Sequence, residues 1–111
     1  MILVDTSVWI DHLRRGNADL AAALEHDLVV CHPFVIGELA CGNLANRAEL
    51  LALLARLPTV SVATDTEVLT LVERRRLMGR GLGYVDAHLL ASAAIGAVTL
   101  WTLDARLAQM A

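Results

Sequence analysis

Short runs of apolar residues alternate along the chain with longer segments in which apolar positions recur at helical spacing. The short runs contain no charged residue, which is typical of strands that are buried on both faces. They predict four β-strands, at 2–4, 28–31, 59–62 and 98–102. The longer segments predict helices at about 6–15, 17–26, 33–42, 47–57, 64–76 and 85–95, and a last short helix after Asp104.

Polar residues that favour helix starts stand at several of these boundaries. We expect Thr6 or Ser7 to cap the first helix, Asn17 the second, and Thr64 or Asp65 the fifth. Uncharged strands separated by helices then indicate a parallel sheet with helices on both faces. Right-handed crossovers make this an α/β fold, a three-layer α/β/α domain.

The length of the chain leaves room for one domain only. With 111 residues, the chain is expected to form a single domain over residues 1–111. Its central parallel sheet should contain four strands, or five if a further strand follows the last helix. An uncovered strand at the edge of that sheet would be a place where chains associate.

The balance of charged residues narrows the class of protein. Hydrophobic residues make up 57% of the chain and charged residues 19%, so a disordered protein is excluded. The net charge of −3 excludes a strongly basic nucleic-acid binder, although a local basic patch stays open. The chain contains arginine but no lysine, which excludes a lysine nucleophile and a P-loop.

The sequence also bears on the compartment. No apolar run approaches the ~18 residues that cross a bilayer, so no membrane association is expected. Asp5 follows the start too closely for a signal peptide. Cys31 and Cys41 are the only cysteines, and we expect two reduced, buried thiols. These features predict a cytoplasmic protein.

Four acidic residues occupy positions where they could face one edge of the sheet. Asp5 directly follows the first predicted strand and Asp104 lies just past the fourth. Glu38 lies in an otherwise apolar helix, and Asp86 opens another. Ligands of open parallel sheets bind beyond the carboxyl ends of the strands. Helix capping and the helix dipole are the competing explanation for each aspartate alone, but they do not explain Glu38.

Four carboxylates at one place would repel each other. Two unit charges ~4 Å apart cost about 1 kcal/mol in water and about 4 kcal/mol near a protein surface. Protons or a hard divalent cation must offset this repulsion. Oxygen ligands without histidine or cysteine suit Mg²⁺ or Mn²⁺ better than zinc. A cation held in this way usually works on phosphate groups.

The same residues carry a resemblance to a known family. The opening stretch 3–10, which reads Leu-Val-Asp-Thr-Ser-Val-Trp-Ile, is followed by Glu38, by Asp86 and Ala87, and by the stretch Thr102-Leu103-Asp104. In this order and spacing they resemble the PIN-domain ribonucleases, and most closely the VapC toxins of bacterial and archaeal VapBC toxin–antitoxin pairs. The resemblance covers nearly the whole chain.

The resemblance implies a metal-dependent endoribonuclease toxin with four acidic site residues. Asp5, Glu38, Asp86 and Asp104 match the family's acidic quartet, which holds Mg²⁺ or Mn²⁺ for hydrolysis of an RNA phosphodiester. The hydroxyls that match supporting positions are those of Thr6, Ser7 and Thr102.

The resemblance also implies binding partners and a particular structure after Asp104. The partners would be a cognate VapB-like antitoxin, an RNA substrate (tRNA, rRNA or mRNA) and a second copy in a homodimer. Family members usually continue past the position of Asp104 with a helix and a final strand, and this chain stops at Ala111. We therefore expect the C-terminal strand to be missing.

Other residues leave alternatives open. Arg74, Arg75, Arg76 and Arg80 form the one dense basic cluster, which either contacts RNA phosphates or is a solvated helix end. The competing function is a catalytically silent PIN-like module that sequesters a protein partner or RNA. A phosphatase with Asp5 as nucleophile ranks lower, because such sites usually include a lysine.

Overall fold

In the computed structural model, which describes residues 1–111, three parallel strands form one sheet and seven helices surround it. The strands are β1 (Ile2–Val4), β2 (Val29–Val30) and β3 (Thr99–Trp101), in the spatial order β2-β1-β3. The helices are α1 (Thr6–Arg15), α2 (Ala18–Glu25), α3 (Pro33–Cys41), α4 (Arg47–Arg56), α5 (Asp65–Arg75), α6 (Tyr84–Gly96) and α7 (Ala105–Met110).

The central strand β1 is covered on both faces. Leu3 and Val4 are both completely buried. Because successive residues of a strand point to opposite faces, apolar side chains must pack against each side of the sheet. The α/β fold with a buried parallel sheet is thus confirmed. The register pairs are Ile2–Val29 and Leu3–Val30 with β2, and Ile2–Thr99, Leu3–Leu100 and Val4–Trp101 with β3.

The strand predicted at 59–62 is reduced to a single bridge, so the sheet has three strands rather than four or five. Thr59 bridges Cys31, and the N–H of Val60 donates to the carbonyl of Cys31 at 2.9 Å. The chain then leaves the sheet, and the N–H of Ala63 donates to the Oγ of Ser92 on α6, at 3.0 Å. This contact within the core takes the place of a longer strand.

The helix starts follow the sequence at α2 and α5 but not at α1. Asn17 and Thr64 cap their helices by accepting a backbone N–H, as predicted. The residue before α1 is Asp5, and its side chain makes no capping bond. Thr6 and Ser7 already lie inside the helix, so the prediction that one of them caps it is wrong. The side chains of these three residues are therefore free for other contacts.

The core is mostly aliphatic. It also contains the side chain of Trp9 from α1, which is buried. The two cysteines are both free thiols, but only Cys31 is buried. Cys41 is exposed at the end of α3, which corrects the expectation of two buried thiols. None of the helices combines the length and the apolar character that a membrane span needs.

Ser92 is a buried polar link between α6, α3 and the segment that follows Thr59. The Nδ1 of His32 accepts the N–H of Phe34, so the proton of this neutral ring is on Nε2. That Nε2–H donates to the Oγ of Ser92 at 3.2 Å. Burial, and then the nearby ring of His88, lower the pKa of His32 to about 4, which keeps the ring neutral.

We expect Ser92→Ala to lower the free energy of unfolding by about 1–3 kcal/mol, because it leaves buried donors of Ala63 and His32 without an acceptor. Urea unfolding at neutral pH measures this. Ser61→Ala is the control, since Ser61 is exposed and should change stability by about 0.5 kcal/mol or less. Equal effects of the two substitutions would contradict the assigned role of Ser92.

Candidate active site

The strand order places a switch point at the carboxyl edge of the sheet, and we call the region beyond the ends of β1 and β3 the crevice. The chain leaves β1 toward β2 on one side, and β3 lies on the other side of β1. Such a reversal leaves room beyond the ends of the two adjacent strands. The N–H of Asp5 donates to the carbonyl of Trp101 at 2.9 Å, so the ends of β1 and β3 are held together.

Asp5 is buried at the bottom of this crevice, and two hydroxyls hold its carboxylate. Its Oδ2 accepts hydrogen bonds from the Oγ of Ser7 and from the Oγ1 of Thr102, each at 2.7 Å. The two hydroxyls accept in turn from the backbone, Ser7 from the N–H of Leu103 and Thr102 from the N–H of Asp104. The carboxylate thus has a fixed orientation, and the turn after β3 is fastened to β1.

Asp104 caps α7 and also belongs to the crevice. Its Oδ1 accepts the N–H groups of Arg106 at 2.9 Å and of Leu107 at 3.2 Å. The residue is exposed, and its Oδ2 accepts no hydrogen bond from the protein. Helix capping and a role in the site are therefore compatible, because they use different oxygens.

Glu38 reaches the same edge from α3. Its Oε1 accepts a hydrogen bond from the Oγ1 of Thr6 at 2.8 Å, which links α3 to the first residue of α1. The residue is exposed in spite of its apolar helix. The bond to Thr6 therefore holds this exposed carboxylate at the edge of the sheet where α1 begins.

Asp86 is half-buried, and the charges of the other three acids affect its pKa. Burial raises the pKa of Asp86, and the charges of Asp5, Asp104 and Glu38 raise it further, in that order. A hydrogen bond with the backbone of Gly83 partly offsets these effects. The other three predicted acids are therefore close enough to act on Asp86, although the four residues come from four separate parts of the chain.

The donor set fits a hard divalent cation. Carboxylate oxygens are the ligands that Mg²⁺ and Mn²⁺ prefer, and a cation would offset the repulsion felt by Asp86. No three Asp, Glu, His or Cys side chains stand close enough together to form a preassembled metal cluster. The carboxylates would thus have to draw together around an ion.

The four arginines of the predicted basic cluster lie on two different elements of the structure. Arg74, Arg75 and Arg76 lie at the C-terminal end of α5, and the Nη2 of Arg75 donates to the carbonyl of Met110 at 2.7 Å. Arg74 and Arg75 border cavities lined by the C-terminal part of α6, whereas Asp86 lies in the first turn of that helix. Arg80 belongs instead to the glycine-containing loop that leads to Asp86.

Arg106 is a basic residue near the site that sequence reasoning missed. Its guanidinium lies against Gly81, so close that a Cβ at that glycine would come within 2.6 Å of Nη1. Gly81 also has a positive φ of 77°, which favours glycine. The position of Arg106 two residues after Asp104 was the available signal.

Comparisons with known proteins identify the family of the chain. The model of the PIN domain family matches residues 2–111. Two curated relatives, each named Ribonuclease VapC32, come from Mycobacterium tuberculosis strains CDC 1551 / Oshkosh and ATCC 25618 / H37Rv. Each is 57% identical to this chain over 108 residues, which cover 96% of this chain and 87% of the relative.

We expect Asp86→Asn to raise the free energy of unfolding at neutral pH by about 0.5 kcal/mol in the absence of divalent metal, since it removes a repelled, half-buried charge whose interactions are partly screened by solvent. The pKa of Asp86 is higher in the folded than in the unfolded chain. The destabilising effect of its carboxylate is thus complete above the folded pKa and vanishes below the unfolded pKa. The gain should therefore shrink as the pH is lowered.

Urea unfolding over a pH series in EDTA measures this gain. Asp27→Asn is the matched control, because Asp27 is exposed with a φ of 54°, which asparagine tolerates well. It should leave stability nearly unchanged. A gain from Asp86→Asn that does not depend on pH would refute the electrostatic explanation.

Proposed function

The chain belongs to the PIN-domain family, and we propose that it is a metal-dependent endoribonuclease toxin of a VapBC-type toxin–antitoxin system. The observation that carries this proposal is the convergence of Asp5, Glu38 and Asp104 on the half-buried Asp86. Such a concentration of negative charge destabilises a fold unless a cation compensates it. The name of the two relatives, Ribonuclease VapC32, supports the same activity.

Asp5 and Asp86 are the central metal ligands in this proposal, and Glu38 and Asp104 assist them, partly through water. When bound, Mg²⁺ or Mn²⁺ supplies a water of lowered pKa and stabilises negative charge on a phosphate. Ser7 and Thr102 keep the carboxylate of Asp5 in one orientation by donating to its Oδ2. Thr6 does the same for Glu38. These hydroxyls are positioning residues.

The candidate site is negative and the chain has a net charge of −3, so both repel the phosphates of an approaching RNA. We propose that Arg80 and Arg106 offset this repulsion by contacting phosphates beside the acids. Arg106 lies against the loop that contains Arg80, and that loop leads directly to Asp86. The substrate class is RNA, whether tRNA, rRNA or mRNA.

The proposed function includes protein partners. A VapB-like antitoxin would keep the nuclease inactive, and a second copy would form a homodimer. Several large apolar side chains are exposed, including Leu69, Met78 and Ile95, and a partner surface would cover such residues. The RNA substrates and the antitoxin also favour action in the cytoplasm.

We expect the purified protein, free of antitoxin, to cleave a mixed tRNA and rRNA pool in Mg²⁺ or Mn²⁺ and to stop in EDTA. Asp5→Asn and Asp86→Asn should abolish cleavage, since each replaces a proposed ligand. Thr102→Val should reduce the rate by about 10- to 100-fold, because it removes one donor that orients Asp5. Gel analysis of the RNA after a time course measures all of these.

Thermal unfolding with and without metal provides an independent readout. Mg²⁺ or Mn²⁺ should stabilise the wild type but not Asp86→Asn, because ligands stabilise only the state that binds them. Asp19→Asn serves as control, since Asp19 is an exposed acid on α2. A folded wild type that neither cuts RNA nor binds metal would favour the silent binding module instead.

For the arginines, we expect Arg106→Ala to weaken RNA binding in EDTA and to reduce the salt dependence of the affinity by about one phosphate contact. Arg74→Ala is the matched control, because Arg74 is an exposed arginine at the far end of α5. Fluorescence anisotropy over a range of salt concentrations measures both. A larger effect of Arg74→Ala would assign the RNA path to the end of α5.

A further inference from the structure

The one phenylalanine and the one tyrosine of the chain meet beside the acidic crevice, although 50 positions separate them in the sequence. The rings of Phe34 on α3 and Tyr84 on α6 both pack edge-on against the buried ring of His88, with centroid distances of 4.7 Å and 4.8 Å. Phe34 is 38% exposed and Tyr84 is 49% exposed. Two aromatic surfaces are thus open to solvent at the same place.

A shared carboxylate fixes this aromatic cluster of Phe34, Tyr84 and His88. The Oδ1 of Asp65 accepts a hydrogen bond from the hydroxyl of Tyr84 at 2.7 Å and lies 3.0 Å from the Nε2 of His88. Asp65 opens α5, so the contact also joins α5 to α6. The rings are therefore held in place before any ligand arrives, which lowers the entropy cost of binding.

The cluster lies next to the acids along both helices that carry it. Phe34 precedes Glu38 by four residues on α3, a spacing that places Cβ atoms about 5–6 Å apart. Tyr84 is the first residue of α6, and Asp86, two residues later, projects from a different side of the helix. The Oδ2 of Asp86 nevertheless lies back toward Gly83, the residue before Tyr84, 3.7 Å from the place a Cβ would occupy there. An RNA strand whose phosphate is at the acids would have its neighbouring bases within reach of the two rings.

We propose that the exposed rings of Phe34 and Tyr84 form a stacking site for an unpaired base of the RNA, next to the phosphate that is cut. The location of the cut rests on the proposed function, whereas the stacking itself does not. Every base has a flat face that stacks on aromatic rings, so such a site holds a strand without fixing its sequence. A base splayed onto the rings would also turn its phosphate toward the crevice.

The alternative occupant of the rings is a segment of a protein partner. The charge of Asp65 beside the rings is the one feature that disfavours RNA. Asp65 is negative, but its carboxylate is already engaged by Tyr84 and His88. A base approaches the rings with its uncharged face, while its phosphates stay near Arg80 and Arg106. We therefore take RNA as the occupant, and protein binding becomes an outcome of the test.

The test uses short single-stranded RNAs that contain the fluorescent base 2-aminopurine, bound in EDTA so that no cleavage occurs. The position of this base is moved along the strand, and a second series has an abasic site at each position. Stacking on a ring quenches 2-aminopurine, and anisotropy gives the affinity. The variants are Phe34→Leu, Tyr84→Leu and Tyr84→Phe.

We expect quenching at one position of the strand, and about tenfold weaker binding by Phe34→Leu and Tyr84→Leu. Tyr84→Phe keeps the ring and should bind within about twofold of wild type. Wild type should bind the abasic RNA about tenfold more weakly, with no further loss in the leucine variants, since the stacked base is already absent. Ile95→Ala is the control, because Ile95 lies at the other end of α6 with 48% exposure.

Unchanged binding by the leucine variants would overturn the proposal. An equal loss on intact and abasic RNA would do so as well, because the contact would then be to the backbone. A loss of antitoxin binding with unchanged RNA affinity would assign the rings to a protein interface.

Cleavage of the same RNAs in Mg²⁺ separates this proposal from the proposed function. Base-dependent binding without cleavage would support the stacking site and refute the nuclease activity. Cleavage together with RNA binding that are both indifferent to the two rings would support the nuclease activity and refute the stacking site.

Discussion

The buried carboxylate of Asp5 is the constraint on which the rest of this site depends. An ionised group at the end of a central strand is costly unless its oxygens are satisfied. Here Ser7 and Thr102 donate to one oxygen, and backbone N–H groups after β3 bind those hydroxyls. The same bonds that satisfy Asp5 therefore define where β3 ends and where α7 begins.

Stability and function oppose each other at Asp86. The residue is half-buried and repelled by three acids, so its pKa is raised, and only the backbone of Gly83 offsets this. If this position served stability alone, an amide or an apolar side chain would be more favourable there than a carboxylate. A core of 21 buried residues, most of them aliphatic, offsets this cost. Groups with raised pKa values that lie together are typical of functional sites, so the arrangement favours a shared role for the carboxylates.

Local patterns predicted most of the architecture and the element on which each of the four acids lies, and two of the misses have a common cause. Uncharged runs predicted β1, β2 and β3, and the position of Asp5 after β1 predicted its place at the carboxyl edge. The predicted strand at 59–62 pairs only at its start, and soon after it the N–H of Ala63 donates to Ser92, about thirty positions away. No window of sequence contains both partners. The aromatic cluster around His88 was not predicted for the same reason, because its residues lie on α3, α5 and α6, which meet only in the folded protein.

The bond from Thr102 to Asp5 spans 97 positions of the chain. β1 precedes both of its neighbours in the sequence and is nevertheless the middle strand of the sheet, so one of its edges stays unpaired until β3 has folded against it. Contacts of such long sequence separation form late, because loop closure must come first. Until β3 is in place, Ser7 is the one hydroxyl that donates to the carboxylate of Asp5. The geometry of the candidate site therefore depends on the last strand of the sheet, and any loss of order at β3 reaches Asp5 directly.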